Sequence, residues 1–314
     1  MNRLLLLISI LLSLNIQAQK VSNAEKKWAW LGFERPEGVN PIVRPDTTSR
    51  FYCPMHKRVA QWENSETFNP AATVINGGIA LLYRAEDNIA KGIGSRTSRI
   101  GYAFSEDGIH FQHHGAPVLY PGGDEWTDFD APGGCEDPRV CMTEDGLYVM
   151  TYTSWNHKLA RLSVATSRDL VHWTKHGPIF SDEHKSQLSK GYSKSGSIVT
   201  EIKNGRQVIA RINGKYMMYH NHHYEFARLA NGNFMWDELA ERIPADLMGF
   251  IVDVYWVQKA GKNPVKELRN LAGRVPCVHF KDYKYVRGAE EKIQFAAVGS
   301  GNLDWDEIIA ACKD

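Results

Sequence analysis

Short runs of alternating apolar and polar residues, separated by glycine-bearing turns, fill the chain between residues 68 and 220. Alternation at period two puts every second side chain on the same face of a strand. Asn76-Gly77-Gly78 leads into residues 79–84, Glu144-Asp145-Gly146 into 147–152, and Asn213-Gly214 into 215–220. Turns of this kind supply the positive φ angles of tight β-hairpins. A longer unit also repeats. Arg99-Ile100-Gly101-Tyr102-Ala103-Phe104-Ser105-Glu106-Asp107-Gly108-Ile109-His110-Phe111 returns as Arg161-Leu162-Ser163-Val164-Ala165-Thr166-Ser167-Arg168-Asp169-Leu170-Val171-His172-Trp173. Each copy reads as a strand, an Asp-containing turn, and an aromatic closing onto a second strand. Weaker echoes stand at 227–236 and 296–305.

Four-stranded units recurring about every 60 residues describe propeller blades, none able to bury both of its faces alone. The chain has room for about five. The expected fold is therefore all-β, a five-bladed β-propeller, with a β-sandwich as the alternative. In a propeller the turns carrying Asp107 and Asp169 are scaffold, not catalytic. Beyond residue 220 the pattern changes. Asn263-Pro264-Val265-Lys266-Glu267-Leu268-Arg269-Asn270-Leu271-Ala272-Gly273 reads as a capped helix, with Pro in its first turn and Gly past its end. Residues 304–312 read as a closing helix. The last two blades are thus expected to be divergent or incomplete, with some helix.

The first twenty residues have another origin. Arg3, an apolar run over 4–14 and Ile16-Gln17-Ala18 form a secretory signal over 1–18. It leaves 19–314 as a single propeller catalytic domain, secreted or periplasmic. No cysteine stands at the cleavage point and no later run approaches about 18 apolar residues, so no membrane anchor is expected. A formal net charge of +1 gives no reason to expect nucleic acid. Five cysteines allow one or two disulfides but define no disulfide scaffold and no CxxC metal pattern.

Candidate chemistry centres on Gly133-Gly134-Cys135-Glu136-Asp137-Pro138-Arg139-Val140. Two glycines permit close backbone approach. Pro138 is expected to hold Asp137 extended, so that Glu136 and Asp137 face opposite ways and only one enters a site. The segments beginning each inner hairpin should line the central channel: Phe68-Asn69-Pro70, Glu136-Asp137-Pro138-Arg139 and Tyr192-Ser193-Lys194-Ser195. Strand ends add Arg84-Ala85-Glu86-Asp87 and Tyr219-His220-Asn221. Carboxylates, guanidinia and aromatic rings converging on a funnel suit a polyhydroxylated ligand. His220 and His222 could share a strand face as metal ligands; we read them as a polar, sugar-binding rim, and no metal is expected. No phosphate-cradling glycine loop or Gly-x-Ser-x-Gly elbow occurs.

Pro36-Glu37-Gly38-Val39-Asn40-Pro41, Phe68-Asn69-Pro70-Ala71-Ala72, Leu82-Tyr83-Arg84-Ala85-Glu86-Asp87, Thr97-Ser98-Arg99-Ile100-Gly101 and Gly134-Cys135-Glu136-Asp137-Pro138-Arg139 resemble glycoside hydrolase family 130. The resemblance implies a five-bladed propeller acting on β-mannosides of manno-oligosaccharides or mannose-containing glycans, by phosphorolysis or by hydrolysis. It implies that Asp137 is the general acid, working through a sugar hydroxyl, that Arg84 and Arg139 bind substrate or phosphate, and that Lys194 is a basic residue opening the third blade. Asn69, Glu86 and Asp87 join these as candidate binding residues, with Arg211 and His220.

Inverting hydrolysis needs a second carboxylate roughly 6.5–9.5 Å from the acid. Glu225 is the candidate base, with Glu201 behind it. Phosphorolysis needs a cationic cluster instead, which Arg84, Lys194 and Arg211 could form, with inorganic phosphate as co-substrate and no cofactor. Export favours hydrolysis, because a sugar phosphate made outside the cell is lost to it. Two other readings stay open. An arabinan- or fructan-cleaving propeller would place an aspartate in the first blade, where this chain has Asn69. A sugar-binding propeller would need no catalysis.

Overall fold

The computed structural model describes residues 35–92, 94–180, 187–287 and 292–314. The signal assigned to 1–18 lies outside the described residues. Residues 41–314 form one compact unit. Residues 35–40 make a turn in which the Asn40 amide donates to the Pro36 carbonyl at 3.3 Å.

A small hairpin, β1 (Phe51–Cys53) with β2 (Arg58–Ala60), precedes two four-stranded antiparallel meanders. The first comprises β3 (Glu66–Ile75), β4 (Gly78–Glu86), β5 (Ser98–Ser105) and β6 (Gln112–His113). After the one-turn helix α1 (Thr127–Asp130) comes the second, with β7 (Gly134–Met142), β8 (Tyr148–Trp155), β9 (Ala160–Ser167) and β10 (Trp173–Pro178). The sequence repeat therefore marks the third strand of each meander and its turn into the fourth. Asn76 and Gly77 take φ of 52° and 79° between β3 and β4, a turn whose twist matches that of the strands it joins.

Asp107 and Asp169 are scaffold, as the repeat implies. Asp107 accepts backbone N–H bonds from Ile109 and His110, each at 2.8 Å, and lies 2.6 Å from His110 Nδ1. Asp169 does the same with Val171, His172 and His172 Nδ1 at 2.9, 2.8 and 2.7 Å. Bonds from their own turns, led by the His110 backbone and the His172 side chain, hold both carboxyls well below the usual carboxylate range.

The meanders meet where Ser98 of β5 pairs with Gly134 of β7 in parallel register, and the Ser98 N–H donates to the Gly133 carbonyl at 2.8 Å. Gly134 has φ of 110°. A Cβ there would run into the Ser98 backbone, and one on Gly133 into Trp155. Both glycines are thus required by close approach. The two meanders share one buried cluster that includes Leu82, Ile100, Cys135, Met150 and Tyr152.

From Ser195 onward the architecture changes. β11 (Ser195–Ile198) pairs antiparallel with β14 (Met217–His220), and the hairpin β12 (Thr200–Lys203) with β13 (Arg206–Ile209) lies between them in sequence. β14 then pairs in parallel with β15 (Met248–Asp253), and β15 in parallel with β16 (Cys277–His279). Parallel neighbours need a crossover. Here helices supply it: α2 (Met235–Arg242) before β15, then α3 (Val254–Lys259) and α4 (Pro264–Asn270) before β16. A hairpin of β17 (Asp282–Val286) and β18 (Lys292–Ala296) and the helix α5 (Trp305–Ala311) complete the chain. A second core, with Trp236, Leu239, Phe250, Val252, Leu268 and Ile308, packs these helices against the sheet.

All-β therefore describes the two meanders, while the C-terminal third is a parallel α/β segment. The physical reason is visible in β15, Met-Gly-Phe-Ile-Val-Asp, a run without alternation that is buried along nearly its whole length, as parallel strands are. The aromatic echoes at 227–236 and 296–305 are not blades: Trp236 lies in α2 and Trp305 begins α5. The two expected helices are present. Asn263 caps α4 by accepting from Lys266 N at 3.1 Å, and Asp304 caps α5 by accepting from Glu307 N at 3.2 Å. The cysteines are all free, Cys53, Cys135 and Cys141 buried and Cys277 and Cys312 exposed, so none of the one or two disulfides that their number allowed is formed.

Gly134→Ala should destabilise the fold by roughly 2–4 kcal/mol, since it adds both a disfavoured φ and a steric clash at the seam. Urea unfolding followed by tryptophan fluorescence measures this; a loss within 0.5 kcal/mol of zero, roughly the range of ordinary surface substitutions, would contradict the seam described above.

Candidate active site

Asn69 and Asp137 stand at equivalent places in the two meanders. Each precedes a proline on the first strand, each takes a left-handed φ (47° and 50°), and each lies where the strand's register slips. Such a bulge leaves a residue unpaired and re-aims its side chain. The Asn69 amide donates to Asp137 Oδ1 at 2.8 Å, joining the two bulges. Pro138 thus does not hold Asp137 extended, as the sequence suggested. The bulge also cancels strand alternation, so Glu136 and Asp137 face the same cations instead of opposite sides.

Those cations are Arg84 and Lys194. Arg84, buried at 2% exposure, reaches Glu86 at 2.6 Å, Glu136 at 2.9 Å and Asp137 at 3.3 Å, and its Nε donates to Ser98 Oγ at 3.0 Å. Its guanidinium also lies 4.7 Å from the centre of the Phe68 ring. Lys194 Nζ lies 3.0 Å from Glu136 and 3.5 Å from Asp137. Its own backbone carbonyl accepts from Thr153 of β8 at 3.0 Å, which fixes the lysine against the second meander. Burial by itself would push the Asp137 pKa up. Lys194, Arg84 and the Asn69 amide together outweigh it and hold the carboxyl below its ordinary value. Asp137 is therefore ionised at neutral pH in this arrangement.

Asp137, Arg139 and Lys194 line a cavity of about 350 Å³ together with His220, His222 and His279, over a floor that includes Leu162, Met218 and Ile251. Arg139 is exposed and donates to the Pro138 carbonyl at 2.7 Å. Glu86 is fully buried beside Arg84, 3.4 Å from Arg96. Six of the sequence candidates, Asn69, Arg84, Glu86, Asp137, Arg139 and Lys194, are thus brought to one place. Glu136, passed over as a site residue, belongs with them; its position beside Asp137 was the available signal, and the bulge was not readable.

Of the remaining candidates, His220 lines the cavity and the others stand elsewhere. Asp87 is closed in a buried pair with Arg99 at 2.8 Å. Arg211 is exposed, its guanidinium hydrogen-bonded to the Tyr216 hydroxyl and 4.1 Å from that ring's centre. Glu225 is fully buried, accepting from the Tyr219 hydroxyl and the His222 N–H, each at 2.8 Å. Burial pushes its pKa up to about 7. Glu201 is exposed on β12. Neither glutamate lines the cavity. His220 lines it, and its partners are Asp253 and His279 rather than His222.

A 1,2-β-oligomannan phosphorylase of Thermoanaerobacter sp. (strain X514) is 34% identical over 171 residues, covering 53% of this chain and 49% of that protein. A candidate glycosidase of Bacteroides thetaiotaomicron superposes with a TM-score of 0.58 at 60% identity, covering 61% of this chain and 55% of the other. A further structure matches with a TM-score of 0.58 at 54% identity, covering 61% and 54%. It comes from a description of the GH130 family of mannoside phosphorylases as containing glycoside hydrolases that target β-1,2 mannosidic linkages in Candida mannan. The chain spans about half the length of the curated relatives it matches. The family model described as β-1,4-mannooligosaccharide phosphorylase matches residues 35–249 and ends inside β15, at the change to parallel pairing. With that match extending over most of its length, the chain belongs to glycoside hydrolase family 130.

Proposed function

We propose that this protein binds manno-oligosaccharides in the cavity beside the Asp137 bulge and cleaves their β-mannosidic linkages by hydrolysis. The observation that carries the reading is Asp137 itself: the one carboxylate among the described residues lining the cavity, aimed by a left-handed bulge and clasped by Lys194, Arg84 and Asn69. A sugar entering the cavity strips water from this carboxyl, and desolvation favours its protonated form. The acid then passes its proton to a sugar hydroxyl, which relays it to the leaving oxygen. Meanwhile a water molecule adds to the anomeric carbon and gives up its proton to solvent, so that the glycosidic C–O bond is replaced by one to the water oxygen. Arg139 and Lys194 offer donors to neighbouring hydroxyls.

Phosphorolysis is the second reading, and one observation favours it. The lining holds cationic groups, Arg139 and Lys194, and histidines beside a single carboxylate, a composition suited to phosphate rather than to a carboxylate base. A secreted or periplasmic setting, which the leader-like residues 1–18 support, favours hydrolysis. We take the two meanders as the first two blades of a five-bladed propeller of the family type, with the α/β segment standing where the last blades would be.

Wild type should release mannose from at least one mannobiose isomer without added phosphate, and Asp137→Asn should lower kcat by roughly 10²-fold or more. Sugar 1-phosphate appearing only with inorganic phosphate would replace hydrolysis by phosphorolysis. Binding without turnover under either condition would leave a sugar-binding protein.

The pH profile gives a second check. Lys194 helps depress the Asp137 pKa, so activity that needs the protonated acid should fall as pH rises, and Lys194→Met should move that falling limb to higher pH. An unshifted limb in the variant would detach the limb from Asp137.

A further inference from the structure

β14, β15 and β16 are adjacent parallel strands, and each ends on a residue able to ligate a metal: His220, Asp253 and His279. In parallel α/β sheets the carboxyl ends of the strands form the crevice where ligands bind. Here the three side chains converge. His220 Nε2 lies 3.2 Å from Asp253 Oδ2, His279 Nδ1 lies 2.9 Å from the same oxygen, and the two ring nitrogens are 2.9 Å apart.

Hydrogen bonding alone cannot satisfy this triangle. With neutral rings, a proton on one nitrogen can point at the carboxylate or at the other ring, and one edge is then left as lone pair against lone pair. Protons on both facing nitrogens would crowd each other across 2.9 Å. A cation at the centre accepts all three lone pairs at once. Bonds of about 2.0–2.1 Å require ligand–ligand edges of about 3.0 Å in an octahedral face and about 3.3 Å in a tetrahedron. The observed edges lie close to these values without rearrangement.

We propose that His220, Asp253 and His279 form a binding site for a divalent first-row transition ion such as zinc. Two imidazoles with one carboxylate are a donor set for zinc or iron(II) with coordination positions left open. The support behind the ligands is built in. Asp253 is fully buried, its Oδ1 accepts from Trp256 N at 3.1 Å to cap α3, and its own N–H donates to Asn221 Oδ1 at 2.8 Å. Its Oδ2 is left for the metal. His220 and His279 also line the cavity that holds Asp137, so the open positions face a space where water or a hydroxyl oxygen of a bound ligand can complete the coordination. His222, the partner that sequence spacing offered to His220, meets that ring edge-on and stacks on Tyr224, with ring centres 5.1 Å apart in each case. The site stands on the α/β segment and does not depend on the glycosidic reading of Asp137.

The test is metal binding by the full chain after EDTA treatment, with zinc titrated against a chromophoric chelator and cobalt(II) followed by its visible absorption. Wild type should take up one equivalent saturably. His279→Ala, which alters a half-exposed ring, should weaken binding by at least about tenfold, and Asp253→Asn, which keeps an oxygen to cap α3, should do the same. His114→Ala, at an exposed histidine on the first meander, should leave binding unchanged. Circular dichroism of each variant separates loss of the site from loss of fold. Absence of a saturable site in wild type, or wild-type affinity in a folded His279→Ala, would overturn the proposal and leave the three side chains as a polar cluster only.

Discussion

Arg84 is one positive charge enclosed by three carboxylates in a nearly water-free place. Burial disfavours its charge, but Glu136, Asp137 and Glu86 more than compensate and raise its pKa. Removing such a partner leaves buried like charges facing one another, a change that commonly costs about 3–5 kcal/mol. The same contact ties the first meander to the second, because Arg84 and Glu86 belong to β4 while Glu136 and Asp137 belong to β7. Structure and chemistry therefore depend on one guanidinium. It holds the seam and, with Lys194 and Asn69, keeps ionised the side chain proposed to act on substrate.

The geometry around it is economical in its means. Asn69 and Asp137 use the same device, an Asx residue at left-handed φ before a proline, on the first strand of successive meanders. Repetition of the fold thus produces two inward-turned polar groups that touch, one an amide and one a carboxylate. Strain of this kind, of order 1–3 kcal/mol per residue, persists where the surroundings over-determine it. Here the surrounding ion pairs do so.

The cavity is shared between two kinds of architecture. One wall comes from β7 with its Asp137 and Arg139, the other from the ends of β14 and β16 with His220 and His279. The family match stops at residue 249, so the second wall is completed by residues outside it. Under the proposed function, Ile251 and His279 would meet the substrate from outside the matched region.

Much was legible in the residues themselves. The Asn76-Gly77 turn, the repeated Ser-x-Asp turn, the Asn263 cap and the closing helix are local, because a few neighbouring groups satisfy their own hydrogen bonds, and these formed as read; Asn213-Gly214 turns the chain, but β13 and β14 on either side of it pair with other strands. Arg84, Asp137 and Lys194 were also identifiable, from motif and from position before or after a hairpin. Long-range pairing was not. Whether β14 would take an antiparallel or a parallel neighbour depends on helices that pack against β15, and whether Glu136 sides with Asp137 depends on one bulge. The grouping of His220 with Asp253 and His279 follows from three strands lying side by side, although the residues stand 33 and 59 positions apart from His220 along the chain. Local chemistry determined many of the turns and caps and pointed to candidate groups; only the packed chain decided which of them meet, since contacts between distant segments are chosen by burial and register, which no short stretch contains.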